Sequence, residues 1–214
     1  PHAAAPSILA LVPLLLVEEE RLHPAQARPC CLPHKTPCGL QNPIAHLVRC
    51  SSWDYNFAMP LIDPGTKAPA FTLKDQHEQT HRLSDYAGRP VVLYFYPKDD
   101  TSGCTQEACD FEASLPRFTK SKAVILGVSI LNEASKAKFA GKHGLTFPLL
   151  ADEAHTIAEK YGVWQQRSLY GRKFMGIART TYLIGTDGKV ARRWDKVKVT
   201  GHAAEVIEAV SALA

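Results

Sequence analysis

Six consecutive residues, Val91-Val-Leu-Tyr-Phe-Tyr96, carry β-branched, aromatic or leucine side chains, and Pro97 ends the run. Such a run reads as a buried strand leaving a sheet. Ala123-Val-Ile-Leu-Gly-Val-Ser-Ile130 is a second strand of the same kind. Between them, Thr105 to Lys120 alternates polar and apolar residues at helical spacing. Two buried strands joined by a helix confine the chain to an α/β architecture.

The strand-to-helix junction reads Pro97-Lys-Asp-Asp-Thr101-Ser-Gly-Cys104, with Cys109 five residues further on. Cys104 is expected on the first turn of the helix, where unpaired N–H groups and the positive dipole end favour an anion. A thiol there is shifted toward thiolate, which is the nucleophile. The stretch points to redox cysteine chemistry.

The remaining pattern is regular. Ala70–Leu73 and Thr80–Ser84 suggest short strands. Glu133–His143 reads as a helix closed by Gly144, a fitting C-cap residue. Phe147–Leu150 reads as a strand and His155–Tyr161 as a short helix. Thr180–Gly185 and Val190–Trp194 flank Thr186-Asp-Gly-Lys189, a hairpin signal, and Gly201–Ala212 is the last helix. Strand–helix–strand–helix followed by a hairpin and a helix is the order of a thioredoxin-like fold, a central mixed β-sheet flanked by helices. No Gly-x-Gly-x-x-Gly follows a strand and no P-loop occurs, so no nucleotide cofactor is indicated.

Residues 1–58 differ from this body. They hold eight of the fifteen prolines, four of the six cysteines and one glycine, Gly39. Prolines 24, 29, 33, 37 and 43 forbid a useful helix, and no strand alternation is visible. The apolar stretch Ile8–Leu16 lacks a preceding Lys or Arg and is broken by Pro13, which disfavours a secretory signal. The expectation is a disordered extension or upstream sequence, with the domain spanning 59–214. A zinc site from Cys30, Cys31, Cys38 and His34 fits poorly, because zinc pairs are usually spaced by two to four residues.

Composition narrows the partners. A net charge of +4, with Lys and Arg scattered, argues against nucleic-acid binding. No apolar run approaches the roughly 18 residues of a membrane span. Two cysteines in the body match a cytoplasmic protein that uses thiols for chemistry rather than a disulfide-stapled one.

Residues 59 to about 210 resemble the peroxiredoxins of the bacterioferritin-comigratory-protein, or Q, type. The resemblance rests on Pro97-x-x-x-Thr101-x-x-Cys104, Cys104-Thr-Gln-Glu-Ala-Cys109, Tyr161-Gly-Val-Trp164 and Gly176-Ile-Ala-Arg179-Thr-Thr-Tyr-Leu-Ile184. It implies that Cys104 is the peroxidatic cysteine and Cys109 the resolving one. Pro97, Thr101 and Arg179 would complete the peroxide pocket, with neither cofactor nor metal. Cleaving an O–O bond needs a thiolate, and a guanidinium fork suits a negative, two-oxygen target. The Thr101 hydroxyl can accept from the peroxide and donate to the sulfur, while Pro97 would shield the thiolate from water. Ser102 and Glu112 depart from the family's usual proline and arginine; Glu112 takes a positive charge off the helix.

The implied activity is reduction of hydrogen peroxide and organic hydroperoxides, with a thioredoxin-like dithiol as reductant and a monomer as the working form. Two rival functions share the same fold. One is a thiol–disulfide oxidoreductase, a class that prefers Cys-x-x-Cys. The other is a noncatalytic redox sensor or holdase. Trp164 and Trp194 read as packing residues, and His77, His81, His143, His155 and His202 as surface residues without catalytic roles.

Overall fold

The computed structural model describes residues 59–169 and 171–213. In chain order these form β1 (Thr72–Lys74), β2 (Thr80–Arg82), β3 (Val91–Phe95), α1 (Ser102–Lys120), β4 (Val124–Ser129), α2 (Glu133–His143) and β5 (Leu149–Ala151). After them come α3 (Thr156–Lys160), β6 (Trp164–Leu169), β7 (Arg172–Ile177), β8 (Thr180–Ile184), β9 (Val190–Asp195) and α4 (His202–Ser211).

A mixed sheet runs in the order β2-β1-β5-β4-β3-β8-β9. β3 and β5 lie parallel to β4 on its two sides, and β8 lies antiparallel to β3 with Phe95 opposite Thr180. That register brings residue 179 to the end of β3 from which the chain enters α1. The thioredoxin-like order read from the sequence is the one observed.

Every residue of β3 is buried, and the period-2 pleat sends its side chains to both faces. Val92, Tyr94 and Tyr96 join Ala108, Phe111 and Phe118 of α1, Phe139 of α2 and Val206, Ile207 and Val210 of α4. Val91, Leu93 and Phe95 join Ile157, Tyr161 and Tyr182 on the other face. Burying each such apolar side chain is worth about 1.5–3 kcal/mol, so the sheet centre anchors the strand ends that carry the site.

Local signals account for α2. Asn132 Oδ1 accepts from the Ser135 N–H at its start. Gly144 closes it at φ 65, and its N–H donates to the Ala140 carbonyl. A left-handed C-cap suits glycine because it has no Cβ to clash.

Helix α1 begins at Ser102, so Cys104 stands in its first turn as expected; Thr101 is the extended N-cap and its carbonyl accepts from the Thr105 N–H at 2.8 Å. One reading changes. The hairpin of β6 and β7 has no counterpart in the sequence reading. Among the described residues its strands pair only with each other, from Trp164–Ile177 to Leu169–Arg172. Residues 172–175 are exposed, so no buried face imposes an alternation to detect.

Candidate active site

Cys104 is the third residue of α1 and is buried at 2 % exposure. Thr101 makes no side-chain cap on the helix, so the first-turn N–H groups keep their donor character toward the site. Arg179, in the link between β7 and β8, reaches across the sheet end, and its Nη2 donates to Cys104 Sγ at 3.1 Å. Its path crosses Gly103, where an added Cβ would stand 3.4 Å from Nη2. The guanidinium passes directly over the helix backbone.

One turn beyond Cys104, on the same helix face, the buried Glu107 carboxylate pairs with Arg179 Nη1. Its other oxygen, Oε1, has no hydrogen-bond partner among the described residues. Burial pushes Glu107 up to about 7, against the pull of Arg179. Burial alone would lower Arg179, but the fields of Glu107 and Cys104 outweigh it and hold the guanidinium above its ordinary value. Arg179 is therefore a permanent cation shared between a thiol and a carboxyl.

Tyr94 lies at the centre of the packing beneath. Its ring stacks on Tyr96 and tilts against Phe111, with centroids 5.4 and 4.9 Å away. Burial keeps its phenol well above the ordinary range, so it stays neutral. Pro97, half-buried, leads from β3 into the loop before α1. Thr101 is exposed at the helix start, and its hydroxyl donates to the Lys98 carbonyl at 3.2 Å rather than to the sulfur. Cys109 is half-buried. Both thiols are free and lie on one unbroken helix.

The structure thus brings Cys104 and Arg179 into contact, with Thr101 and Pro97 in the adjoining loop and Cys109 further along α1. Glu112 is turned to Thr146 and accepts from its N–H at 2.8 Å and its hydroxyl at 2.7 Å. The role of Glu107 escaped the sequence reading. The signal was present, an acid three residues after the helical thiol, but acids on helices are ordinarily solvated. Asp99 and Lys136, both buried, escaped for the same reason.

The histidines need correction. His202 is buried at 3 % exposure, bonded to Thr181 Oγ1 at 2.8 Å. His81 is half-buried against Asp75, His143 against Asp100 and His155 against the Trp164 ring. Only His77 of the five is exposed. Polar neighbours in sequence did not reveal that α4 docks on α1. Trp164 and Trp194 do pack, partly buried, against the two clusters.

Among the described residues, no group of three or more His, Cys, Asp or Glu side chains is gathered to hold a metal ion. The zinc reading on Cys30, Cys31, Cys38 and His34 lies outside them, as does the expectation for residues 1–58. No helix among the described residues is long and apolar enough to cross a membrane.

The AhpC/TSA family matches residues 64–193. Peroxiredoxin Bcp of Bacillus subtilis is 48% identical over 147 residues, covering 69% of this chain and 94% of that protein. A putative peroxiredoxin bcp of Coxiella burnetii is 44% identical over 146 residues, 68% of this chain and 97% of its own. Among solved structures, Xanthomonas campestris peroxiredoxin Q superposes with a TM-score of 0.66 at 39% identity, covering 70% of this chain and 97% of that one. The bacterioferritin comigratory protein of the same organism, studied in trapped-intermediate and ligand complexes for its alkyl peroxide reduction activity, gives 0.66 at 39% identity, over 70% and 98%. With a thiol held under an arginine at a helix start and these relatives, the chain belongs to the AhpC/TSA family and is a peroxiredoxin of the Bcp, or Q, type, a peroxidase.

Proposed function

We propose that Cys104 is the thiol that peroxide oxidises, in a thioredoxin-dependent reduction of hydrogen peroxide and organic hydroperoxides. The observation that carries this reading is the 3.1 Å contact from Arg179 Nη2 to Cys104 Sγ at the start of α1. A guanidinium and a helix N-terminus both favour the thiolate and the oxyanion of a departing alkoxide.

The Cys104 thiolate attacks one peroxide oxygen. The S–O bond forms as the O–O bond breaks, the sulfur is oxidised to sulfenic acid, and the alkoxide leaves as alcohol or water after taking a proton. Arg179 offers its fork to the developing charge. The Thr101 oxygen retains acceptor capacity for the peroxide O–H. Pro97, which offers no N–H donor of its own, is assigned to shielding the thiolate from bulk water. The Cys109 thiol then attacks the sulfenic sulfur, a disulfide forms and water leaves. A thioredoxin-like dithiol restores both thiols by exchange.

Peroxide consumption coupled to thioredoxin and its reductase tests this sequence. Cys104→Ser is expected to abolish turnover, and Cys109→Ser to allow one oxidation and then stall. Normal thioredoxin-linked cycling by the Cys109 variant would remove its resolving role.

A further inference from the structure

Beneath the loop joining β3 to α1, Lys136 Nζ lies 2.8 Å from Asp99 Oδ1, with the two side chains 0% and 4% exposed. Neither charge is left bare. Asp99 Oδ1 also accepts from the Tyr96 hydroxyl at 2.8 Å and the Ser129 hydroxyl at 3.4 Å, and Oδ2 accepts from the Ser135 hydroxyl at 2.8 Å. Lys136 donates further to Tyr96 at 3.0 Å and to Ser129. Burial draws the Lys136 ammonium down from its ordinary value, while Asp99 and the nearby Cys104 oppose that shift.

These residues come from separate elements. Tyr96 ends the central strand run, Asp99 lies in the loop, Ser129 closes β4, and Ser135 and Lys136 are on α2. The next loop residue, Asp100, has a left-handed backbone at φ 58. It is held by the same helix, through Lys142 at 2.7 Å and His143 at 2.9 Å. The Lys142 pair is exposed and the His143 pair partly so, and both are worth little. The inner pair is different in kind. A buried ion pair adds little net stability over an apolar replacement, but its directional bonds fix the atoms they join.

We propose that Asp99 and Lys136 are positioning residues for the peroxidase reaction, pinning the Pro97–Thr101 loop to α2 so that the first turn of α1 and its thiol meet peroxide in register. The proposal rests on Cys104 being the oxidised thiol. Neither residue touches the sulfur; each acts through the loop.

The test compares two reactions of Cys104 in the full chain. Oxidation by hydrogen peroxide needs the assembled pocket, whereas alkylation by iodoacetamide needs only a thiolate. The double variant Asp99→Asn/Lys136→Met removes both charges together, so no uncompensated ion is left inside. It is expected to lose about tenfold or more in peroxide rate, with alkylation within about twofold of the parent. Ser135→Ala removes the donor to Asp99 Oδ2 while leaving the Asp99–Lys136 pair in place, and is expected to lose about threefold in peroxide rate with a lower but still cooperative melting transition. If the double variant does not fold, Ser135→Ala alone decides. Peroxide rates equal to the parent's in the folded variants would overturn the proposal, as would parallel losses in both reactions. Full peroxide oxidation of a Cys104→Ser control would overturn the reading of Cys104 itself.

Discussion

Glu107 and Arg179 share a buried contact in which one guanidinium nitrogen meets the carboxylate while the other reaches Cys104 Sγ. The pairing favours the carboxylate and burial favours the neutral acid, leaving Glu107 at about 7. The charge facing the thiol therefore changes near neutral pH. Below that point Arg179 faces a neutral partner, and above it a carboxylate draws on the same cation.

Glu107→Gln removes this titration and keeps an amide for Arg179. Because the folded-state value lies above the ordinary 4.5, the stabilising contribution of Glu107 is full below pH 4.5 and is lost as pH rises through about 7. The variant should gain stability relative to the parent between pH 5 and pH 8, by up to about 3 kcal/mol. Paired chemical denaturation at the two pH values measures it. A stability difference independent of pH would remove Glu107 as the titrating group.

His202 carries the opposite sign. Burial against Phe111 and Trp194 lowers it to about 4. A depressed folded-state value means its contribution is full above pH 6.5 and is lost as pH falls through 4, by up to roughly 3 kcal/mol. His202→Gln retains a partner for Thr181 but does not titrate. Thermal melts between pH 7 and pH 4 should show a flatter acid decline for the variant than for the parent. Parallel declines would place the acid sensitivity elsewhere.

Cys104 and Cys109 are separated on a whole helix by about 7.5 Å of rise and about 140° of rotation. A disulfide needs Cα atoms within about 7 Å and converging side chains. Forming it therefore requires α1 to unwind from Cys104 to about Phe111. Phe111 is fully buried, and its packing opposes that step. Amide exchange over residues 104–111 should be slow with free thiols and fast in the disulfide form. Equal protection in the two forms, with the bond verified by mass, would exclude local unfolding.

A chain shortened to begin at Met59 should unfold cooperatively and keep peroxidase activity. Its first residues are tied to the last hairpin, with Gly65 N–H donating to the Val190 carbonyl at 2.7 Å and Ala68 N–H to the Gly188 carbonyl at 3.0 Å. Circular-dichroism melting and a peroxide assay check both expectations. Loss of the cooperative transition would make residues 1–58 part of the fold.

Elements with a buried face were legible in the sequence. β3, β4, α2 and the β8–β9 hairpin each carry an apolar period or a turn residue that a single chain displays locally. The β6–β7 arm was not, since its strands bury too little to pattern their side chains. Cys104 was legible because a strand, a proline and a helix start lie in one continuous stretch.

Local order along the chain determined the strand and helix sequence, the thiol at the helix start and the motif placing Arg179 at the head of a strand. The tertiary structure decided which charges went inside. Glu107, Asp99 and Lys136 are residue types that are ordinarily solvated; a helical thiol three positions before Glu107 is the one local hint, and nothing within a few positions of Asp99 or Lys136 indicates burial. Their partners stand 72 residues away for Glu107 and 37 for the Asp99–Lys136 pair. A charge enters a protein interior only where an opposite charge and hydrogen-bond donors meet it, and only the folded sheet end brings those groups together.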